Sequence, residues 1–256
     1  MRRGVIDSRK HEAILECKEL EKTHAGFIIE GERLIKRAVD DGLMLRHIIY
    51  SGRSALERDG YIDKAGCACY RAGEGIISAV STSRPVPCEV ALCVMPEHNL
   101  GEIGGRVLIT DCVSNPDNLG LVIRTADACG VDAVLVTGAG AAPWHKNCVR
   151  ASRGAIGRLP VLYYPDGVRS VIEKLRAQGI KIIGSDINAE LMLGDVGNSW
   201  HAPEKFAVVV GNESTGMGAE VRGMCDIMLR IKMAQGRQSS FNVAVAAGII
   251  LDRLID

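Results

Sequence analysis

The stretch VSNPDNLGLVIRTADACGVDAVLV, residues 113–136, decides the fold class. It reads as the exit of a buried strand, a turn, a helix and a second buried strand. Apolar and small residues recur through NLGLVIRTADAC at helical spacing. VDAVLV is a short, continuous apolar run, as a strand covered on both faces requires. Among the apolar helix residues stands Arg124, a permanent cation, one turn after Gly120 and six residues after Asn118. Asn118 is expected to cap the helix, and the missing side chain at Gly120 to let a substrate backbone approach Arg124. A capped helix whose arginine reaches to solvent accounts for the same residues equally well.

The alternation continues outward. RVLITDC precedes the stretch as a strand. Beyond it LPVLYY, IKIIGSD, KFAVVVG and DIMLRI read as strands. VRSVIEKLRAQ, MGAEVRGMC and the apolar SSFNVAVAAGIILDRL read as helices, with a short helix over 146–153. This α/β pattern predicts a mostly parallel sheet with helices on both faces over residues 106–256. Toward the N-terminus the polar, glycine-rich PEHNLGEIGG holds an expected linker at 98–105. Residues 1–97 then form a small α/β domain of their own. Its helices are expected at 8–22, through Leu34, Ile35, Ala38 and Val39 to Gly42, and near 54–65 and 73–80. Its strands are expected at Phe27–Ile29, Ile48–Tyr50 and 89–95.

Composition sets limits. The chain has 256 residues, 47% hydrophobic and 24% charged, as ordinary soluble globular proteins do. Its 31 basic and 31 acidic residues cancel, and they cancel again within 1–100 (15 of each) and 101–256 (16 of each), so no global field recruits a polyanion. A nucleic acid would need a local patch. One exists: residues 133–165 contain Lys146, Arg150, Arg153 and Arg158 and no acid, which reads as a phosphate-binding stripe or a solvated basic face. The nine cysteines are scattered through apolar runs without zinc-site spacing, so they read as small buried hydrophobes in a reducing cytoplasm, with no metal. The basic N-terminus lacks the apolar core of a secretory signal, and no run reaches membrane-spanning length. TGAGAAP, at 137–143, lacks the third glycine of a dinucleotide fingerprint.

Ligands of open α/β sheets bind outside the carboxyl ends of the strands. Three strand exits carry unusual residues. NPDNLGLVIRT holds Asn118, Gly120 and Arg124, and VVVGNESTGMGAEV holds Gly211, Asn212, Glu213, Gly216 and Gly218. IKMAQGRQSSFNVAVAAGII groups Ser239, Ser240 and Asn242 beside Gly236 at the entry of an apolar helix, where a plain cap needs one of them.

In order, these exits resemble the three motifs of the SpoU/TrmH family, in the SPOUT class of RNA methyltransferases. The first is Asn118-x-Gly120-x-x-x-Arg124, the second Gly211-x-Glu213-x-x-Gly216, the third Ser240-Phe241-Asn242-Val243. FIIEGERLIKRAVDDGL resembles the start of the small RNA-binding domain many members carry. The third motif departs from the family: Lys232 stands where proline is usual, Ala234 and Gln235 precede Gly236, and Phe241 replaces leucine.

The resemblance implies a trefoil-knotted catalytic domain, a homodimer that assembles the active site, and S-adenosylmethionine bound in the knot. It implies methyl transfer to a ribose 2′-oxygen, of ribosomal RNA in view of the added N-terminal domain. Gly211, Ile231, Met233, Ser240 and Phe241 would then contact the cofactor. Asn118, Arg124, Glu213, Ser240 and Asn242 would surround the reacting centre, with Lys146, Arg150, Arg153 and Arg158 toward the RNA. Arg124 is expected to stabilise the developing alkoxide as a fixed cation, since a guanidinium does not readily give up a proton. Glu213 is expected to orient Arg124 or to pair with Asn118. A methyltransferase of transfer RNA, a non-catalytic RNA-binding factor with the same knot, and a small-molecule enzyme are the competing readings.

Overall fold

The computed structural model describes residues 3–197, 200–234 and 240–255. The chain divides into two compact units, residues 1–97 and 98–256.

The first unit runs β1 (Arg3–Ile6), α1 (Glu12–Thr23), β2 (Gly26–Glu30), α2 (Glu32–Asp40), β3 (Leu45–Tyr50), α3 (Tyr61–Lys64), β4 (Ala68–Ala72), α4 (Glu74–Ile77) and β5 (Glu89–Val94). The sheet order is β1-β4-β3-β5-β2. β1, β4 and β3 are parallel, while β5 pairs antiparallel with both β3 and β2. Ile6, Ile14, Ile49, Ile77 and Leu92 form the heart of its core. α2 shows why the sequence pattern works: Ile35 and Ala38 are buried, while Lys36 on another face bonds Glu32 at 2.6 Å and Asp59 at 2.5 Å. Two strands, β1 and β4, were not expected from the sequence. Each is short, and ACYRA carries no long apolar run to announce it. The helices expected near 54–65 and 73–80 contract to α3 and α4, because Gly60 takes a left-handed conformation (φ 76°) and Gly73 an extended one just before each.

The second unit begins with the stretch expected as a linker. Leu100 there is buried in the unit's core, and Gln178 Nε2 donates to its carbonyl at 3.4 Å. It continues β6 (Arg106–Asp111), α5 (Pro116–Cys129), β7 (Ala133–Thr137), α6 (Lys146–Ser152), β8 (Val161–Tyr164), α7 (Val168–Ala177), β9 (Lys181–Ser185), β10 (Leu191–Met192), β11 (Phe206–Val210), α8 (Ala219–Gly223), β12 (Ile227–Arg230) and α9 (Val243–Ile255). The described strands form one sheet, β10-β12-β9-β11-β6-β7-β8, parallel at every pairing. β7 and β11 are buried at every residue, so both faces are covered. Val171, Ile172 and Leu175 of α7 and Val221 of α8 pack on one face with Val107, Ile109 and Val209. α5 and α9 pack on each other and on β7 and β11.

α5 corrects two local expectations. Its cap is Asn115, whose Oδ1 accepts from Asp117 N at 2.8 Å and Asn118 N at 3.3 Å, with Pro116 opening the helix. Asn118 therefore lies inside the first turn, its side chain free for other work. Gly120 is not open to a substrate. A Cβ there would stand 2.4 Å from the Cys148 carbonyl oxygen and 2.6 Å from Ala151 Cβ of α6, so the glycine sets the close approach of two helices. Gly120→Ala is expected to lower stability by about 1–3 kcal/mol through overpacking, read as a shifted denaturation midpoint. An unchanged midpoint would show that α6 yields.

All nine cysteines are free thiols, with Cys17, Cys67, Cys69, Cys93 and Cys148 buried. Among the described residues no helix is long and apolar enough to cross a membrane.

Candidate active site

The carboxyl ends of β6, β9, β11 and β12 converge on one edge of the second unit. β11 ends at Gly211, and the chain then folds back on itself. Asn212 N donates to Gly216 O and Gly216 N to Asn212 O, both at 3.0 Å, with Gly216 at φ 70°. The turn is so tight that a Cβ on Gly211 would lie 2.2 Å from Met217 N. The Asn212 side chain fastens the turn to the β6 exit. Its Nδ2 donates to Cys112 O at 2.9 Å and its Oδ1 accepts from Ser214 N at 2.8 Å and Thr215 N at 3.1 Å. Buried Asp111 adds a second tie, accepting from Gly218 N at 2.9 Å.

Glu213 is thereby aimed at the start of α5. Its Oε1 accepts from Asn118 Nδ2 at 2.8 Å and Asn115 N at 3.4 Å, and its Oε2 from Ser114 N at 3.3 Å and Ser114 Oγ at 3.2 Å. Partial burial works against the carboxylate's charge. The bonds from Asn118, Ser114 and Asn115 outweigh it and hold the group below its ordinary range. Asn118 Oδ1 in turn accepts from Asn242 Nδ2 at 2.9 Å, and Asn242 Oδ1 accepts from Ala244 N at 2.9 Å as the cap of α9. Residues 95 and 124 positions apart thus form one directional chain from the α9 entry to Glu213.

Beside this chain lies a cleft of about 390 Å³. Gly211, Glu213, Ile231, Met233, Ser240 and Phe241, all singled out in the sequence, line it. Phe241 is 42% exposed, so its ring offers open apolar surface to whatever enters the cleft. Asp186 and Arg222, which the sequence did not mark, also line the cleft and form an ion pair there. The volume suits a small-molecule ligand. Apolar walls at Val210, Leu229, Ile231 and Phe241 offer surface for a flat ring, and the Asp186–Arg222 pair offers opposite charges to a zwitterion.

Arg124 stands apart from this cluster. It lies six residues, roughly 9 Å along the axis, beyond Asn118. It is exposed, on the same outer stripe as Leu121 (39% exposed), and has no hydrogen bond or ion pair among the described residues. Of the basic stripe, Lys146, Arg150 and Arg153 are exposed, Arg150 bonding Asp117 at 3.3 Å. Arg158 turns inward instead, pairing with Asp127 and donating to Gly154 O at 3.3 Å, so it braces the fold. Gln235, Gly236 and Ser239 lie outside the described residues. Asn212 was marked at its strand exit without a role, while Ser114, Asn115 and Asp111 went unmarked in the sequence as members of the site. Only Asn115 carried a signal, an asparagine directly before a helix-opening proline. Among the described residues no group of three or more His, Cys, Asp or Glu is placed to hold a metal ion.

The chain matches the model of the SpoU rRNA Methylase family over residues 105–252. It is 32% identical over 254 residues to the Bacillus subtilis 23S rRNA (guanosine(2553)-2'-O)-methyltransferase RlmP, covering 97% of this chain and 98% of that one. A 23S rRNA (uridine(2479)-2'-O)-methyltransferase of Streptomyces viridochromogenes is 29% identical over 242 residues, 90% of this chain and 83% of its own. The crystal structure of the SpoU methyltransferase AviRb from Streptomyces viridochromogenes, in complex with the cofactor AdoMet, superposes with a TM-score of 0.81 at 25% identity, covering 96% and 97% of the two chains.

Proposed function

This chain belongs to the SpoU rRNA methylase family, and from that premise we propose that the cleft and the Asn242–Asn118–Glu213 chain are its methyl-transfer centre. The protein is an S-adenosylmethionine-dependent methyltransferase acting on a ribose 2′-hydroxyl of ribosomal RNA. The observation that carries the assignment of the centre is the direct hydrogen bonding of three remote segments, one from each motif, beside a cleft of cofactor size.

S-adenosylmethionine supplies an electrophilic methyl group, so the protein's task is to place an acceptor oxygen and stabilise its charge. The walls at Gly211, Ile231, Met233 and Phe241 hold the cofactor, with Ser240 at the rim. Glu213 does not serve as the base. Four donors already occupy its oxygens, and its role is to fix Asn118 and the start of α5. Arg124 would supply a fixed cation to the sugar oxygen while keeping its own proton, and the hydroxyl proton would leave through an RNA phosphate to water as the oxygen takes the methyl group and S-adenosylhomocysteine departs. Lys146, Arg150 and Arg153 hold RNA phosphates, and residues 1–97 form an RNA-binding domain.

A homodimer completes the site. Arg124 has no partner within the described chain, and exposed Leu121 and Val245 lie on α5 and α9, the two helices that pack together. Apolar residues so exposed fit a surface that a second copy covers. The trefoil knot is supported by the strand order, with β11 lodged between β9 and β6, and by α9, which follows edge-side β12 yet packs on β11 and α5. The free, buried thiols fit a reducing cytoplasm.

The test is transfer of labelled methyl from S-adenosylmethionine into ribosomal RNA of a strain lacking the protein, with nucleoside analysis of the product. A single 2′-O-methylated nucleoside is expected. Label on a base, or none in any ribosomal RNA, overturns the reading.

A further inference from the structure

The charges of the first unit cancel in number but not in space. Many of its cations are held by carboxylates: Arg3 by Asp63, Lys36 by Glu32 and Asp59, Arg37 by Asp41, Arg46 by Glu16 and Lys64 by Asp40. At the carboxyl ends of the three parallel strands the pattern differs. Arg9 follows β1, Arg71 stands in the last turn of register of β4, and Arg53 follows β3; all three are exposed. Register places Val5, Arg71 and Tyr50 side by side across the strands. With neighbouring strands about 4.8 Å apart, the outer two of these strand ends are separated by roughly 10 Å.

The three guanidinium groups are placed in different ways, one by backbone, one by a glycine surface and one by a carboxylate. Arg9 Nε and Nη2 both donate to Gly75 O, at 3.1 and 2.8 Å. Arg71 lies against Gly52, where a Cβ would stand 2.9 Å from its Nη2 and 3.5 Å from its Cζ. Arg53 donates to Glu74 at 3.1 Å, an exposed pair that water and salt weaken. Arg9 and Arg71 have no carboxylate partner among the described residues. Planar, weakly hydrated guanidinium groups exposed on neighbouring strand ends present donors to more than one phosphate, and Arg9 does so with its side chain already held.

We propose that Arg9, Arg53 and Arg71 form a second phosphate-contacting surface, on the strand ends of the first unit, that grips the RNA substrate. The proposal rests on the assignment of RNA as substrate and adds the residues through which the first unit binds it. Its contacts position the RNA and carry no base specificity.

The experiment uses the full chain and deproteinised 23S ribosomal RNA, with affinity measured across a salt series and S-adenosylhomocysteine binding as the check on folding. The Arg9→Ala, Arg53→Ala, Arg71→Ala triple variant is expected to bind the RNA at least about tenfold more weakly, with the slope of log affinity against log salt flattened by roughly 2. Methyl transfer should show a raised KM for RNA with kcat nearly unchanged. Gly52→Ala, which pushes the Arg71 guanidinium aside without removing charge, should reproduce part of the loss. Equal affinity and slope in wild type and triple variant would overturn the proposal alone. Failure of the wild type to bind the RNA would overturn the substrate assignment and the proposal with it. Should the triple variant lose S-adenosylhomocysteine binding, Arg71→Ala by itself decides: equal RNA affinity overturns the proposal, a weaker one supports it.

Discussion

Arg124→Ala is expected to lower methyl transfer by roughly 10²–10³-fold in kcat, the cost of removing one charged donor from a developing oxyanion. The fold should not register the change. Arg124 is exposed, makes no bond among the described residues, and alanine is at least as good a helix former. Cofactor binding should also persist, because Arg124 does not line the cleft. Three measurements decide it: kcat on ribosomal RNA, the denaturation midpoint, and S-adenosylhomocysteine affinity. Only the first is expected to move. Arg124→Lys should recover part of the rate, since it restores the charge without the planar fork. Full transfer by the alanine variant, or its failure to fold, would remove Arg124 from the chemistry. A mixture of Arg124→Ala with a Glu213-defective subunit offers a further check. Recovered turnover in the mixture would place the two residues of one working site on different subunits.

Much of the second unit was legible because hydrophobic period reports burial directly. LVIRTADAC, FAVVV and AVAAGIIL each have one environment available to them, and the elements formed there accordingly. β1 and β4 were not legible, because four or five residues with one or two apolar side chains look like loop until a neighbouring strand pairs with them. Sheet order was hidden for a different reason. Period says that β11 is buried on both faces and says nothing of its lying between β9 and β6.

At the site, residue types were legible and their partners were not. Glycine at 120 and 211 was visible as missing bulk, and in each position the structure puts protein in the space. At Gly120 it is α6, and at Gly211 it is the turn's own Met217 and Gly216. The Asn118 amide was read as a cap because caps are commonly asparagine. Asn115, three residues earlier and directly before proline, has the better claim on those amides and leaves Asn118 to Glu213. A bond across 95 residues has no local trace in a sequence.

That bond carries the second large effect. Glu213→Gln keeps the shape but turns an amide NH₂ toward some of the donors of Ser114, Asn115 and Asn118, all of which need an acceptor. Losing a charged acceptor in this setting costs about 1.5–3 kcal/mol, so transfer should fall roughly 10–100-fold, with weaker cofactor binding because Glu213 also lines the cleft. The pH profile distinguishes a positioning carboxylate from a base. Folding lowers the pKa of Glu213 below its ordinary 4.5, so its bonds stabilise the native site fully above that value. The stabilisation is lost only as pH falls through the lower, folded value. The ratio of wild-type to Glu213→Gln rates should therefore stay constant between about pH 6 and pH 9 and shrink only in acid. A ratio that climbs through neutral pH would mean that Glu213 exchanges a proton during the reaction, and the saturated, locked carboxylate described here could not be the working state.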